Sequence, residues 1–166
     1  MDDIFGRIVA GILAAFVLIF LPLTVVSLKN ENTAQAYIQN EIVRFIDDAR
    51  ATGSISVEAY EDLCYTIDKL QPLCEIKIVH SESYEVTEDG YTDVYYYEYH
   101  TNEVLDSMYA DEKGRYRMKQ GDFIKISVHN TTPTLATRLY RVINFSYHND
   151  TTIFCTYSGY VGNDAG

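Results

Sequence analysis

Ile8-Val9-Ala10-Gly11-Ile12-Leu13-Ala14-Ala15-Phe16-Val17-Leu18-Ile19-Phe20-Leu21-Pro22-Leu23-Thr24-Val25-Val26 is a run of 19 residues without a charged side chain. At the helical rise it spans about 28 Å, close to the hydrocarbon thickness of a bilayer. Nothing else in the chain approaches this length, so one membrane segment is expected. A cleaved secretory signal fits less well. Ser27 offers a small residue at a cleavage site, but the run exceeds a usual apolar region and the chain opens with Asp2-Asp3. A soluble core helix rarely runs this far without polar residues. We read residues 1–29 as an uncleaved single-pass anchor in the lipid bilayer and residues 30–166 as the domain it carries.

The helical pattern continues past the apolar run. Ala34, Tyr37, Ile38, Ile42, Phe45, Ile46 and Ala49 recur at three- and four-residue spacing. One helix is therefore predicted from Asp3 to Arg50, with a short break at Asn30-Glu31-Asn32 as the alternative. Gly53 is a suitable stop. Ile42, Phe45 and Ile46 are the expected contact between this helix and a sheet. In the apolar half, Gly6, Ala10, Gly11 and Ala14 form a small-residue strip that permits close helix approach. Pro22 removes a backbone donor, so a kink or local loosening is expected there, tolerated where neighbouring helices shield the freed carbonyl.

The remainder fills out an α+β layout. Ser56 caps a second helix with Val57, Tyr60, Cys64, Ile67 and Leu70 on its apolar face, and Pro72 ends it. Cys74, Ile76, Ile78 and His80 then alternate on one face of a strand. Glu88-Asp89-Gly90 signals a turn, and Asp93 to Tyr99 returns as an aromatic strand. Asn102 to Met108 suits one or two turns of helix, and Gly114 to Gly121 reads as irregular. Phe123 to Val128 is a third strand with Ile124, Ile126 and Val128 alike in facing. Pro133 opens an excursion through Leu139 and Tyr140, and Thr152 to Tyr157 is the last strand. The expectation is a small antiparallel sheet of about four strands behind two main helices.

Charge narrows the function classes. The chain of 166 residues carries a net charge of −11. Phosphate recognition needs clustered Lys and Arg, so nucleic acid is not an expected partner. Arg7 and Lys29 flank the apolar run evenly, so charge does not orient it. The acidic, Lys-poor, Tyr-rich remainder places residues 30–166 outside the cytoplasm. With 47% hydrophobic residues and 15 Tyr, the chain is not of disordered composition.

Three stretches carry a family resemblance. They are Ala49-Arg50-Ala51-Thr52-Gly53-Ser54-Ile55-Ser56, the segment from Gly121 to Leu135, and Tyr157-Ser158-Gly159-Tyr160-Val161-Gly162-Asn163. Together with the apolar-to-amphipathic helix, they resemble the small type IV pilin-like proteins of Firmicutes tight-adherence (Tad-type) pilus systems. The resemblance implies a pilin-like fold at the cell membrane or surface. It implies partners among other pilin-like subunits and the pilus assembly machinery. A processed pilin has a short basic leader ending in Gly and a Glu five residues into the mature chain. Here Gly6 is followed five positions later by Gly11, and Gly11 by Phe16, with no Lys or Arg before Gly6. The first helix is therefore expected to stay on the mature chain, and the resemblance fits a minor or accessory subunit better than a major one. A non-assembling, membrane-tethered ectodomain for ligand binding or sensing is the competing reading.

Catalysis has no support in the motifs. No nucleophile elbow, phosphate loop or dinucleotide fingerprint occurs, so neither enzyme activity nor a cofactor is expected. His80, His100, His129 and His148 lack partners at metal-ligand spacing and read as ordinary strand-end histidines. Glu82, Glu85, Glu88, Asp89 and Asp93 crowd one hairpin without the order of a calcium loop. Tyr95, Tyr96, Tyr97 and Tyr99 alternate across a strand. They either cover the helix–sheet core or form an exposed subunit contact, and the first is favoured. Cys64 and Cys74 lie either side of the reversal at Pro72. Two states stay open for them: a bridge tying the second helix to the first strand, or reduced thiols packed as small apolar side chains. Asn130, Asn144 and Asn149 each begin a glycosylation pattern that is common by chance.

Overall fold

A computed structural model describes residues 2–88, 91–134, 137–138 and 153–163. The first element, α1 (Asp2–Thr52), is one helix of 51 residues, about 77 Å long. No break occurs at Asn30-Glu31-Asn32, and the helix continues through Pro22. Proline there costs the Leu18 carbonyl its usual donor. Two residues on, the Thr24 hydroxyl donates to the Phe20 carbonyl at 2.8 Å. Gly53, with φ of +67°, ends the helix in the left-handed conformation that glycine adopts without penalty.

The chain then runs through β1 (Ser54–Ser56), α2 (Val57–Leu70), β2 (Cys74–Glu88), β3 (Tyr91–His100), α3 (Thr101–Ala110), β4 (Arg115–Arg117), β5 (Phe123–Asn130) and β6 (Phe154–Tyr160). The fold is α+β, with six strands among the described residues rather than about four. Four of them form one antiparallel sheet in the order β3-β2-β5-β6. The other two, β1 and β4, pair only with each other, Ile55 opposite Tyr116. Each is three residues long, too short for alternation to reveal, and β4 lies in the stretch read as irregular. The turn at Asp89-Gly90, the excursion beyond Thr134 apart from residues 137–138, and Thr152 lie outside the described residues.

Ser56 caps α2 as its residue type suggests, its hydroxyl accepting from the Ala59 N–H at 3.2 Å. The helix turns further than its apolar pattern implied. Leu63 and Ile67 are the buried pair, while Tyr60, Cys64 and Leu70 are half-buried. At the start of α3 the Thr101 hydroxyl accepts from the Ile78 N–H at 2.9 Å, and Glu103 accepts from the His100 N–H at 2.8 Å. These bonds hold the turn from β3 into α3 against the middle of β2.

The core lies between the second half of α1 and the four-stranded sheet. Ile38, Ile42, Phe45, Ile46 and Ala49 are buried along one stripe of α1, whereas Tyr37 is exposed. Across from them the sheet presents successive rows: Ile76, Val128 and Cys155; Ile78, Ile126 and Tyr157; His80, Ile124 and Gly159. The C-terminal strand end ties down the end of α1. Arg50 Nε donates to the Tyr160 carbonyl at 2.8 Å, Gly162 N–H to the Arg50 carbonyl at 2.9 Å, and Asn163 Nδ2 to the Ala51 carbonyl at 2.9 Å. A Cβ at Gly159 would lie 2.5 Å from Arg50 Nε, so glycine there makes room for the arginine to cross the strand. Two of the three stretches quoted for the resemblance thus meet at this helix end.

Candidate functional site

Three places on the molecule carry side chains whose setting needs explanation. The first is the outer half of α1. Every large apolar residue from Ile4 to Leu28 except Phe20 is exposed, on all sides of the helix. The helix is long and apolar enough to cross a membrane. A helix apolar all round is normally surrounded by lipid or by other helices. Gly6, Ala10, Gly11 and Ala14 are exposed in this segment, and a Cβ at Gly6 or Gly11 would meet nothing within 4 Å. Pro22 lies in the same segment and is also exposed. Burial along α1 begins at Thr24 and continues at Ser27 and Glu31. The carried domain therefore covers the helix from within the stretch assigned to the anchor.

The second place is a buried polar network at the last row of the sheet. His80 follows Ile76 and Ile78 on the inward parity of β2, so its ring enters the core and must find partners there. Tyr116 of β4 hydrogen-bonds Nδ1 at 2.7 Å, and Asp122, just before β5, bonds Nε2 at 3.0 Å. His80 and Asp122 are each 3% exposed. The Lys119 backbone N–H also donates to Asp122 Oδ2 at 2.7 Å. Burial, with nearby Tyr99, Glu82, Asp122 and Glu103, raises the Tyr116 phenol well above its ordinary value, so it stays protonated. The Tyr116 hydroxyl can donate to Nδ1 or accept from it, and Nε2 lies within hydrogen-bond reach of the Asp122 carboxyl. Tyr99 stacks on the ring at 5.5 Å between centroids and gives its hydroxyl to Glu82 Oε2 at 3.2 Å. Glu82 pairs with Lys119, which holds the Glu82 carboxyl below the ordinary carboxylate range. A histidine between a tyrosine and an aspartate has the parts of a proton relay, but burial denies a substrate access to its ring. Its work is to join β2, β4 and the turn before β5.

Sequence reasoning took His80 for an ordinary strand-end residue and missed Tyr116 and Asp122. The available signal was parity: a polar ring on the face of Ile76 and Ile78 requires buried partners. The other histidines fare differently. His129 pairs with Glu75 at 3.0 Å near the sheet surface, His100 precedes α3, and His148 lies outside the described residues. Among the described residues no group of three or more His, Cys, Asp or Glu is arranged to hold a metal.

The third place is the outer part of the β2–β3 hairpin. β5 accompanies β2 only from Cys74 to Ser81. Beyond that point β2 and β3 continue as a two-stranded arm, in unbroken register from Val79 opposite His100 to Glu88 opposite Tyr91. Tyr95 and Tyr97 share a face with Tyr84 and Tyr99, and Tyr96 lies on the opposite face. The favoured expectation, that these tyrosines cover the core, fails for all but Tyr99. Tyr84, Tyr91, Tyr95, Tyr96 and Tyr97 are exposed because the arm runs past the end of the sheet on which α1 rests. Tyr84 and Tyr95 stack at 5.8 Å, and Tyr97 meets Tyr99 edge-on at 4.7 Å.

The three cysteines are free thiols. Burial, then the neighbouring Cys155, pushes the Cys74 thiol up to about 11. Burial also raises the Cys64 thiol, which lies beside Tyr60 on α2. Cys155 is two strands away from β2, roughly 10 Å in the pairing direction, beyond the reach of a disulfide to Cys74. Asn130, read as a glycosylation pattern, is 3% exposed, and its side chain bonds Thr132 and Ile153. Asn144 and Asn149 lie outside the described residues. An open groove of about 490 Å³ between α1, α2 and the β1–β4 pair sets Arg44, Arg115 and Arg117 among Glu41, Asp48 and Asp62. Its balanced charges select no ligand. No family model matches the chain, and no curated protein or solved structure matches it.

Proposed function

We propose that this chain is a membrane-anchored minor or accessory pilin-like subunit of a type IV or Tad-type pilus, or of a related secretion assembly. Its outer helix half sits in the bilayer and its α+β domain sits on the extracytoplasmic side. It works by packing against other pilin-like subunits and the assembly machinery, and the reading assigns it no catalytic residue. One observation carries the proposal: a single uninterrupted helix is both the apolar exposed segment and the spine of the domain core. That continuity fixes the domain rigidly to its anchor, as subunits stacked through their helices require. A receptor domain would do as well on a flexible tether.

Lipid supplies no hydrophobic drive for helices to associate, so close contact at small residues must supply it. The double variant Ala10→Leu/Ala14→Leu should keep membrane insertion and lose self- or pilin cross-linking in native membranes. Cross-linking equal to the wild type would defeat the assembly mechanism. The second reading, a non-assembling tethered ectodomain for ligand binding or sensing, draws support from the exposed aromatic arm, and it forecasts that equal result.

A further inference from the structure

The β2–β3 arm combines three properties that ordinary surface hairpins avoid together. An isolated two-stranded ribbon is marginally stable in water, and this one leaves both faces open. Among the described residues β3 is the edge strand of the sheet, and its ten residues contain no proline, no lysine and no break in register. Those are the usual devices that blunt an edge against pairing. The arm is also one-signed: residues 82–98 hold six acidic side chains, five tyrosines and no Lys or Arg. At its root Glu82 is satisfied by Lys119 and Glu98 stands exposed opposite Ser81, whereas Glu85 and Asp93 stand exposed farther out.

We propose that this arm docks an extended, lysine- or arginine-bearing segment of another protein, which adds a strand to the free edge of β3. Main-chain hydrogen bonds along the edge would hold the segment, and side-chain alternation would set its specificity. A basic residue placed opposite Asp93 falls between Tyr91 and Tyr95 on the same face. It gains the carboxylate and two ring faces at once. On the other face Glu98 and Tyr96 repeat the pairing of acid with aromatic ring. Aromatic area and one-signed charge together suit such a partner better than the alternatives. A second copy of this chain is disfavoured, because each arm carries the same one-signed acidic charge and two arms repel. A glycan would use the rings but leave the unpaired edge unused.

The inference goes beyond the pilin reading and does not depend on it. The test uses the full chain in phosphatidylcholine nanodiscs. The probe is a fluorescent peptide of about eight residues alternating arginine and valine, enough to span the edge strand. Anisotropy should show binding that weakens about tenfold or more in Tyr95→Ser/Tyr97→Ser and again in Asp93→Lys. A peptide of the same charge, N-methylated at alternate residues, should lose binding, because it keeps the arginines but not the edge hydrogen bonds. The circular dichroism and urea midpoint of each variant should match the wild type, since the altered side chains are exposed. No binding of the arginine peptide overturns the proposal. So does equal binding of the N-methylated peptide or of a glutamate-for-arginine version. Capture of chitohexaose in place of the peptide, or self-association of the chain that Tyr95→Ser/Tyr97→Ser abolishes, also overturns it by naming a different occupant. The Ala10→Leu/Ala14→Leu variant should bind the peptide as the wild type does, so this proposal and the assembly mechanism fail separately.

Discussion

The two halves of α1 are one helix in two surroundings. From Ile38 to Ala49 the apolar residues keep to a single stripe, and that stripe is buried against the sheet. From Ile4 to Leu28 apolar residues occupy every side of the helix, and almost all are exposed. Backbone geometry is common to both, so the difference lies in the side chains and in what each half needs around it. A one-sided stripe is satisfied inside a single chain. An all-round apolar surface is satisfied only by something outside it, lipid or a neighbouring helix. The buried Thr24, Ser27 and Glu31 mark where one regime passes into the other.

The sharpest way to break this comparison is the same substitution in each half. Ile42 is fully buried, so Ile42→Asp puts an unpaired carboxylate into the core and should cost about 3–5 kcal/mol of domain stability. Ile12 is 65% exposed, so Ile12→Asp should leave the domain's urea midpoint unchanged in detergent. It should instead lower recovery in the membrane fraction, because an aspartate inside a spanning helix opposes insertion, at a cost that reaches about 2.5–3.5 kcal/mol at the helix centre. A midpoint that falls equally in both variants would mean that the halves are not distinct.

Much of this division was legible in the residues. Nineteen uncharged residues followed by three- and four-residue spacing specify a helix whose surroundings change along its length, and Ser56, Gly53 and Pro72 mark ends by local chemistry. What stayed hidden was tertiary. β1 and β4 exist only because Ile55 and Tyr116 meet across a long separation, and three residues carry no period. The tyrosines of β3 have the alternation of a half-buried strand, yet their exposure depends on β5 stopping opposite Ser81. His80 looked unpartnered because Tyr116 and Asp122 lie far from it in sequence. The candidate surfaces divide in the same way. The apolar exposure of the outer half of α1 is a property of composition, whereas the aromatic arm is a property of where other strands end.

A smaller effect sharpens the account of the inner half, whose last turn lies over the polar row of His80, Ile124 and Gly159. His80→Ala removes the imidazole from between Tyr116 and Asp122. The buried phenol loses its partner on the ring, and the Asp122 carboxyl loses Nε2 while keeping the Lys119 N–H. A loss of about 2–3 kcal/mol follows from leaving such groups unsatisfied. The measurement is the urea midpoint of His80→Ala beside that of Tyr95→Ala, which sits on the same face of the hairpin but out on the arm. Tyr95→Ala should change it little. If the arm variant proves as costly as the root variant, the arm contributes to the core and its exposure has been misjudged.

The smallest effect concerns how the inner half is fastened at its end. Gly159 carries no unusual φ, so alanine meets no backbone penalty there and is ordinarily no worse in a strand than glycine. The obstacle is Arg50, whose Nε and Cζ would lie 2.5 Å and 2.6 Å from the new Cβ. The arginine must swing away, losing its bond to the Tyr160 carbonyl and disturbing its pair with Asp47. Asp47 is half exposed and its ion pair is worth little, so the lost backbone contact dominates, at about 1 kcal/mol. A double-mutant cycle isolates this cause. Gly159→Ala should lower the urea midpoint in the wild-type background and hardly move it once Arg50→Ala has cleared the space. Equal losses in both backgrounds would show that the glycine serves β6 itself and not the arginine that binds the helix end to it.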